Sequence, residues 1–151
     1  MTTMTQTNVQ VYAVFIKASP EQIWEAITKP EFTSRYFYGS LVDSSFEAGA
    51  PYRSWSPDRE KLWVDGEVLD SDPPRRLSYT WRALYDEETA TEEPSRVSWE
   101  IEPQDGGVSK LTVVHDQLER APKTAENVAG GWMYILSGMK TLLETGEPLS
   151  S

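Results

Sequence analysis

The chain has 151 residues and a formal charge of −10, from 24 acidic against 14 basic side chains. That length suits one domain with a sizeable core, and the negative field disfavours nucleic-acid partners and anionic membrane surfaces. Cysteine is absent, which excludes disulfides, thiolate zinc sites and cysteine nucleophiles. Met1 to Asn8 is polar and Thr-rich, without the basic start and apolar centre of a signal peptide. No apolar run reaches membrane-spanning length. The expectation is a flexible N-terminus over 1–8, one domain over 9–146 and a tail over 147–151, in a cytoplasmic protein.

Val9 to Lys17 is β-branched and aromatic and predicts the first strand. Directly after it, Ala18-Ser19-Pro20-Glu21-Gln22-Ile23-Trp24-Glu25-Ala26-Ile27 writes out a helix start. Ser19 is a capping residue, Pro20 suits the first helical position, and Gln22 stands where a capping box puts Glu or Gln. Lys29-Pro30 breaks that helix, and Pro30 opens a short second one through Tyr36, which Gly39 ends. Leu41 to Phe46 predicts a short strand, Glu47 to Pro51 a turn, and Tyr52 to Ser56 the next strand. Lys61 to Leu69 follows, with Gly66 as a bulge or bend, and then a turn over Asp70-Ser71-Asp72-Pro73-Pro74.

Arg76 to Trp81 alternates cleanly, with Leu77, Tyr79 and Trp81 on one face. Arg82 to Ser95 is an acidic connection that reads either as a mouth or lid or as a solvated hairpin tip. Val97, Trp99 and Ile101 share a face of the following strand, and Leu111, Val113 and His115 share a face of the next, across a hairpin turn at Pro103 to Gly107. Strands half-buried in the same sense predict an antiparallel sheet with one covered face. The cover is a last helix from near Thr124 to Thr145-Gly146, whose Val128, Trp132, Ile135, Leu136, Met139, Leu142 and Leu143 recur at helical spacing. Gly130-Gly131 inside it predicts a close approach or a local bend, at about 1 kcal/mol per glycine.

Three segments carry a resemblance to a known superfamily: Ala18 to Thr28; Gly66 to Leu69 with Asp72-Pro73-Pro74-Arg75-Arg76 to Trp81; and Gly107 to Asp116 with Gly130-Gly131-Trp132. The chain resembles the SRPBCC superfamily, which includes START domains, the major birch-pollen allergen and polyketide cyclases. Within it, the chain looks most like the activator of heat-shock-protein-90 ATPase homologue-like family. The resemblance implies an α+β helix-grip fold: a curved antiparallel sheet of about six to seven strands around a long C-terminal helix, with two short helices after the first strand. It also implies a cavity between sheet and helix. The eukaryotic co-chaperones that name the family carry an additional N-terminal domain, for which this chain has no room. A homodimer through sheet or helix surfaces is the assembly the resemblance offers.

Tyr79, Trp81, Trp99 and Trp132 are expected to converge between sheet and helix, with Leu136 and Met139 beside them. They read as ligand-binding residues or as plain core. Tyr36 and Phe37, with Tyr38, follow the second short helix, which in this fold borders the cavity entrance. The inward faces of the strands carrying Trp55 and Trp63 stay open. His115, the single histidine, is the one catalytic candidate. It reads either as an acid–base group inside a cavity or as a hydrogen-bonded histidine at the sheet margin. Alternation sends Asp116 to the opposite face, and no Gly-x-Ser-x-Gly elbow supplies a serine nucleophile. One histidine, no cysteine and scattered carboxylates give no metal-ligand spacing, and no cofactor is expected. The reading of function is a carrier or sensor holding a small hydrophobic molecule. The alternatives are a cyclase- or hydrolase-like enzyme with His115 and Tyr79, and a protein-interaction domain that meets a chaperone.

Overall fold

The computed structural model describes residues 8–150. The expectation for Met1 to Asn8 therefore lies, except for Asn8, outside the described residues. β1 (Gln10–Ile16) leads into α1 (Pro20–Thr28) and α2 (Pro30–Tyr36). The capping box forms as written: Gln22 N–H donates to Ser19 Oγ at 3.1 Å, and Ser19 N–H donates to Gln22 Oε1 at 2.8 Å. β2 (Leu41–Asp43), β3 (Pro51–Trp55), β4 (Leu62–Asp72), β5 (Arg76–Ala83), β6 (Ser95–Pro103) and β7 (Ser109–Asp116) complete a seven-stranded sheet in the order β1-β7-β6-β5-β4-β3-β2. Every neighbouring pair is antiparallel. α3 (Glu87–Ala90) lies between β5 and β6, and α4 (Pro122–Val128) and α5 (Gly131–Thr145) follow β7. Among the described residues no helix is long and apolar enough to cross a membrane.

The core sits where the alternation put it. Leu77, Tyr79 and Trp81 of β5, Val97, Trp99 and Ile101 of β6, and Leu111 and Val113 of β7 are buried against Trp132, Ile135, Leu136, Met139 and Leu142 of α5. This is the helix-grip arrangement: a sheet clasping the C-terminal helix. On the opposite face, Arg96 forks onto Asp116 at 2.9 and 2.6 Å across a register pair, and Arg82 forks onto Asp65 at 3.2 and 3.1 Å. Asp116 is thus turned away from His115, as alternation requires.

The structure corrects four local expectations. β2 ends at Asp43 rather than Phe46, because Ser44 and Ser45 hydroxyls accept from Phe46 N–H and Glu47 N–H and turn the chain. Asp70, Ser71 and Asp72 belong to β4, paired with Ser78, Leu77 and Arg76, so the turn shrinks to Pro73-Pro74-Arg75. The register shift in β4 falls between Val68 and Asp70, not at Gly66. Gly66 instead permits contact: a Cβ there would stand 1.9 Å from the Thr80 carbonyl oxygen. Finally, the last helix is two helices. Gly130 in the left-handed region (φ 82°) separates α4 from α5, so the expected bend is a break.

Candidate functional site

A cavity of about 470 Å³ opens between the sheet and the helices. Its sheet wall is Ser54 of β3, Trp63 and Val64 of β4, and Trp81 of β5. Its helical wall is Asn127 and Val128 of α4 with Gly131, Trp132 and Ile135 of α5. Phe37, Tyr38 and Ser40 close it after α2, and Tyr85 closes it after β5. No Asp, Glu, Lys, Arg or His side chain lines this space.

Trp132 organises the inner end. Its ring stands edge-on to Phe37 at 5.8 Å between centroids, to Trp99 at 5.5 Å and to His115 at 5.9 Å, and tilted to Trp81 at 5.9 Å. Phe37 in turn stacks on Trp81 at 6.3 Å. Such offset and edge-on pairs lock one another into place. The Trp132 indole N–H donates to His115 Nδ1 at 3.1 Å. That bond fixes the neutral tautomer with its hydrogen on Nε2, which donates to Ser95 Oγ at 2.7 Å. Ser95 passes its own hydroxyl hydrogen to the Trp81 carbonyl at 3.2 Å.

His115 is fully buried, and burial pulls its pKa down to about 4, against a small opposing pull from Asp116. Both ring nitrogens are engaged, so the imidazole is a strut between β7, β6 and α5, and it does not line the cavity.

Of the site residues singled out from sequence, Trp81, Trp132, Phe37 and Tyr38 line the cavity. Tyr36, Tyr79, Trp99, Leu136, Met139 and His115 do not. Tyr79 stacks on Tyr52 at 3.9 Å and accepts from Trp99 Nε1 at 2.9 Å, deep in the core. Burial holds its phenol up to about 12, well out of range for acid–base work near neutrality. Tyr36 donates to the Ala26 carbonyl at 2.7 Å and packs against Gly138, which fastens α2 to α1 and α5. Trp63 lines the cavity, whereas Trp55 is half-buried outside it.

Sequence reasoning passed over Ser54, Val64, Tyr85 and Asn127. Ser54 and Val64 are small members of alternating strands, with no signal beyond their face. Asn127 reads as off-stripe on a continuous helix; only the break at Gly130 brings it to the cavity.

The acidic connection is not a bare tip: it carries α3, and its Tyr85 borders the cavity. Asp86 caps α3 by accepting from Glu88 N–H at 2.8 Å, and Thr89 is buried with its hydroxyl on the Ala83 carbonyl. Glu92 caps α4, accepting from Lys123 N–H at 2.9 Å, Thr124 N–H at 2.8 Å and the Thr124 hydroxyl at 2.9 Å. The Tyr85 hydroxyl donates to Asn127 Oδ1 beside the cavity. Among the described residues, one buried side-chain polar atom lacks any partner: Trp81 Nε1, on a cavity-lining ring. No cluster of three or more His, Asp or Glu side chains suited to a metal ion forms among them.

A curved antiparallel sheet gripping a C-terminal helix beside an aromatic-lined cavity defines a protein of the SRPBCC type. Residues 17–144 match the family model described as activator of Hsp90 ATPase homolog 1-like protein, and the chain belongs to that family. Solved structures agree on the fold. CalU16 from Micromonospora echinospora is 19% identical over 94% of this chain and 77% of its own, with a TM-score of 0.70. The Aha1 dimer from Colwellia psychrerythraea is 17% identical over 91% of this chain and 97% of its own, with a TM-score of 0.71. PFC0360w, an HSP90 activator from Plasmodium falciparum, is 17% identical over 90% of this chain and 96% of its own, with a TM-score of 0.69. At these identities the likeness is one of fold. A search of the curated proteins finds no match.

Proposed function

We propose that this protein is a binding module, a carrier or sensor that takes up a small, largely apolar molecule between its sheet and its C-terminal helices. The observation that carries the reading is the ring-lined cavity of about 470 Å³, within the range of about 300–1,000 Å³ that encloses drug-sized ligands. An apolar guest would gain roughly 25 cal/mol for each Å² of its surface taken out of water. Binding is favoured over catalysis by what the cavity lacks. His115 is walled off with both nitrogens occupied, and burial raises the Tyr85 phenol at the mouth to about 12. No lining group titrates near neutral pH. Native mass spectrometry of freshly purified protein, with a Trp-fluorescence screen of small ring compounds, tests the reading. We expect a saturable one-to-one complex; a screen in which nothing saturates would count against it.

A further inference from the structure

The cavity stands over a row of small side chains. Ser54 of β3 pairs with Val64 of β4, and Val64 with Ala83 of β5, so this line across the sheet holds nothing larger than valine. Ser54 and Val64 line the space. Ser54 shares the inner face of its strand with Tyr52 and is only 5% exposed. Its hydroxyl finds no hydrogen-bond partner among the described residues, yet it is not sealed off as the Trp81 indole nitrogen is. On an inward-facing, buried residue, that remaining surface opens on the cavity. The Ser40 and Tyr85 hydroxyls, in contrast, are committed to the Phe37 carbonyl and to Asn127. The Tyr38 hydroxyl and the Trp63 indole are also unbonded, but Tyr38 is 56% exposed at the rim and Trp63 is half-buried, so water serves them.

The position of Ser54 gives the cavity two unlike ends. Trp132 lies against Trp81 of β5, Trp99 of β6 and His115 of β7, and its N–H is taken by His115. That end offers a guest rings and no free polar group. Ser54 stands two strands beyond β5 in the other direction. A few polar groups in an otherwise apolar pocket fix the orientation of what binds there. A serine hydroxyl can donate to a carbonyl oxygen and can exchange a hydrogen bond with a hydroxyl. With no charged side chain around the space, an ionic guest would lose its hydration without a counter-charge. We infer that the ligand is a neutral molecule with a ring-bearing body and an oxygen function, carbonyl or hydroxyl, at one end. Ser54 holds that oxygen and orients the guest, rings toward Trp132 and oxygen toward β3. The inference rests on the binding reading above and sharpens it.

Matched naphthalenes separate the two. The intact protein and Ser54→Ala are titrated with 2-ethylnaphthalene, 2-acetylnaphthalene, 1-(2-naphthyl)ethanol and 2-naphthoate. Comparing each probe with itself across the two proteins cancels the probe's own hydration. Loss of the hydroxyl is expected to weaken the ketone and the alcohol about three- to tenfold and to leave the hydrocarbon unchanged. The carbonyl stretch of the bound ketone lies at lower frequency in the wild type than in Ser54→Ala, a difference that a purely structural role for Ser54 would not produce. The carboxylate binds both proteins more weakly than the ketone does. Should Ser54→Ala fail to fold, Ser54→Cys, close in size but a poor hydrogen bonder, takes its place. An equal change for the hydrocarbon and the oxygen-bearing probes, with no difference in the carbonyl stretch, overturns the role of Ser54 and leaves the cavity reading standing. Tighter binding of the carboxylate than of the ketone overturns the neutral class. If none of the four binds the wild type, the cavity reading falls and takes this inference with it.

Discussion

His115 shows how far one residue's environment governs its role. A histidine on an aromatic inner face invites an acid–base reading, yet its ring accepts from Trp132 and donates to Ser95, and it serves as a neutral spacer. The sign of its pH effect follows. Its pKa in the folded state, about 4, lies below the 6.5 of a free imidazole, so the unfolded chain binds the proton more readily between those values. Its contribution to stability is complete above pH 6.5 and is lost as pH falls towards 4, on the order of 3 kcal/mol in total. Urea unfolding across that window should show the decline, and His115→Phe should remove this component from the pH profile. The same substitution leaves the Trp132 N–H and the Ser95 hydroxyl short of a partner, at about 2–4 kcal/mol at pH 7. A variant as stable as the wild type would show that the strut carries no load.

Elements were legible where local chemistry decided them and illegible where partners did. The capping box at Ser19 and Gln22 and the alternation of Leu77, Tyr79 and Trp81 needed no tertiary information, and they placed α1 and the inner face of β5. The end of β2 turned on two serine hydroxyls, and the length of β4 turned on pairing with β5; neither shows as a pattern in its own segment. Gly130-Gly131 announced a disturbance without its kind, since both glycines look alike in sequence. They differ in structure: Gly130 has φ 82°, whereas a Cβ at Gly131 would meet only Tyr38 Oη at 3.6 Å. Gly130→Ala is therefore expected to cost about 1 kcal/mol or more, and Gly131→Ala to be neutral or stabilising by up to about 0.5 kcal/mol. Equal thermal midpoints for the two would contradict the break. Glu92→Ala removes the cap of α4 and should cost about 1 kcal/mol. Hydrogen exchange should locate the loss in residues 122–128, with α5 protection unchanged.

For the whole molecule, the apolar stripe and the inward aromatic set specified a sheet gripping a helix, and family membership follows from the chain's full middle, residues 17–144. The cavity was less legible. Large rings on inner faces signal a core equally well: of those picked out, Trp81, Trp132 and Phe37 line the cavity, whereas Tyr36, Tyr79 and Trp99 fill space, as do Leu136 and Met139. What opens the cavity is the displacement of α4 from the line of α5, together with small side chains such as Ser54 and Val64 opposite it, and no periodicity reports either. The Tyr85–Asn127 bond ties the β5–β6 connection to α4 across this opening. Asn127→Ala should thus speed both entry and release of a ligand, with a smaller change in affinity, as stopped-flow fluorescence would show. Unchanged rates would mean that the guest enters elsewhere.

The measurement that bears most directly on the account is a calorimetric titration of 2-acetylnaphthalene into the wild-type protein and into Val128→Trp, a substitution that fills the cavity from α4. The account predicts a one-to-one heat of binding for the wild type and none for the filled protein, with both folded to similar thermal midpoints. Equal binding by the two proteins would place the guest outside the space between sheet and helices and would contradict it.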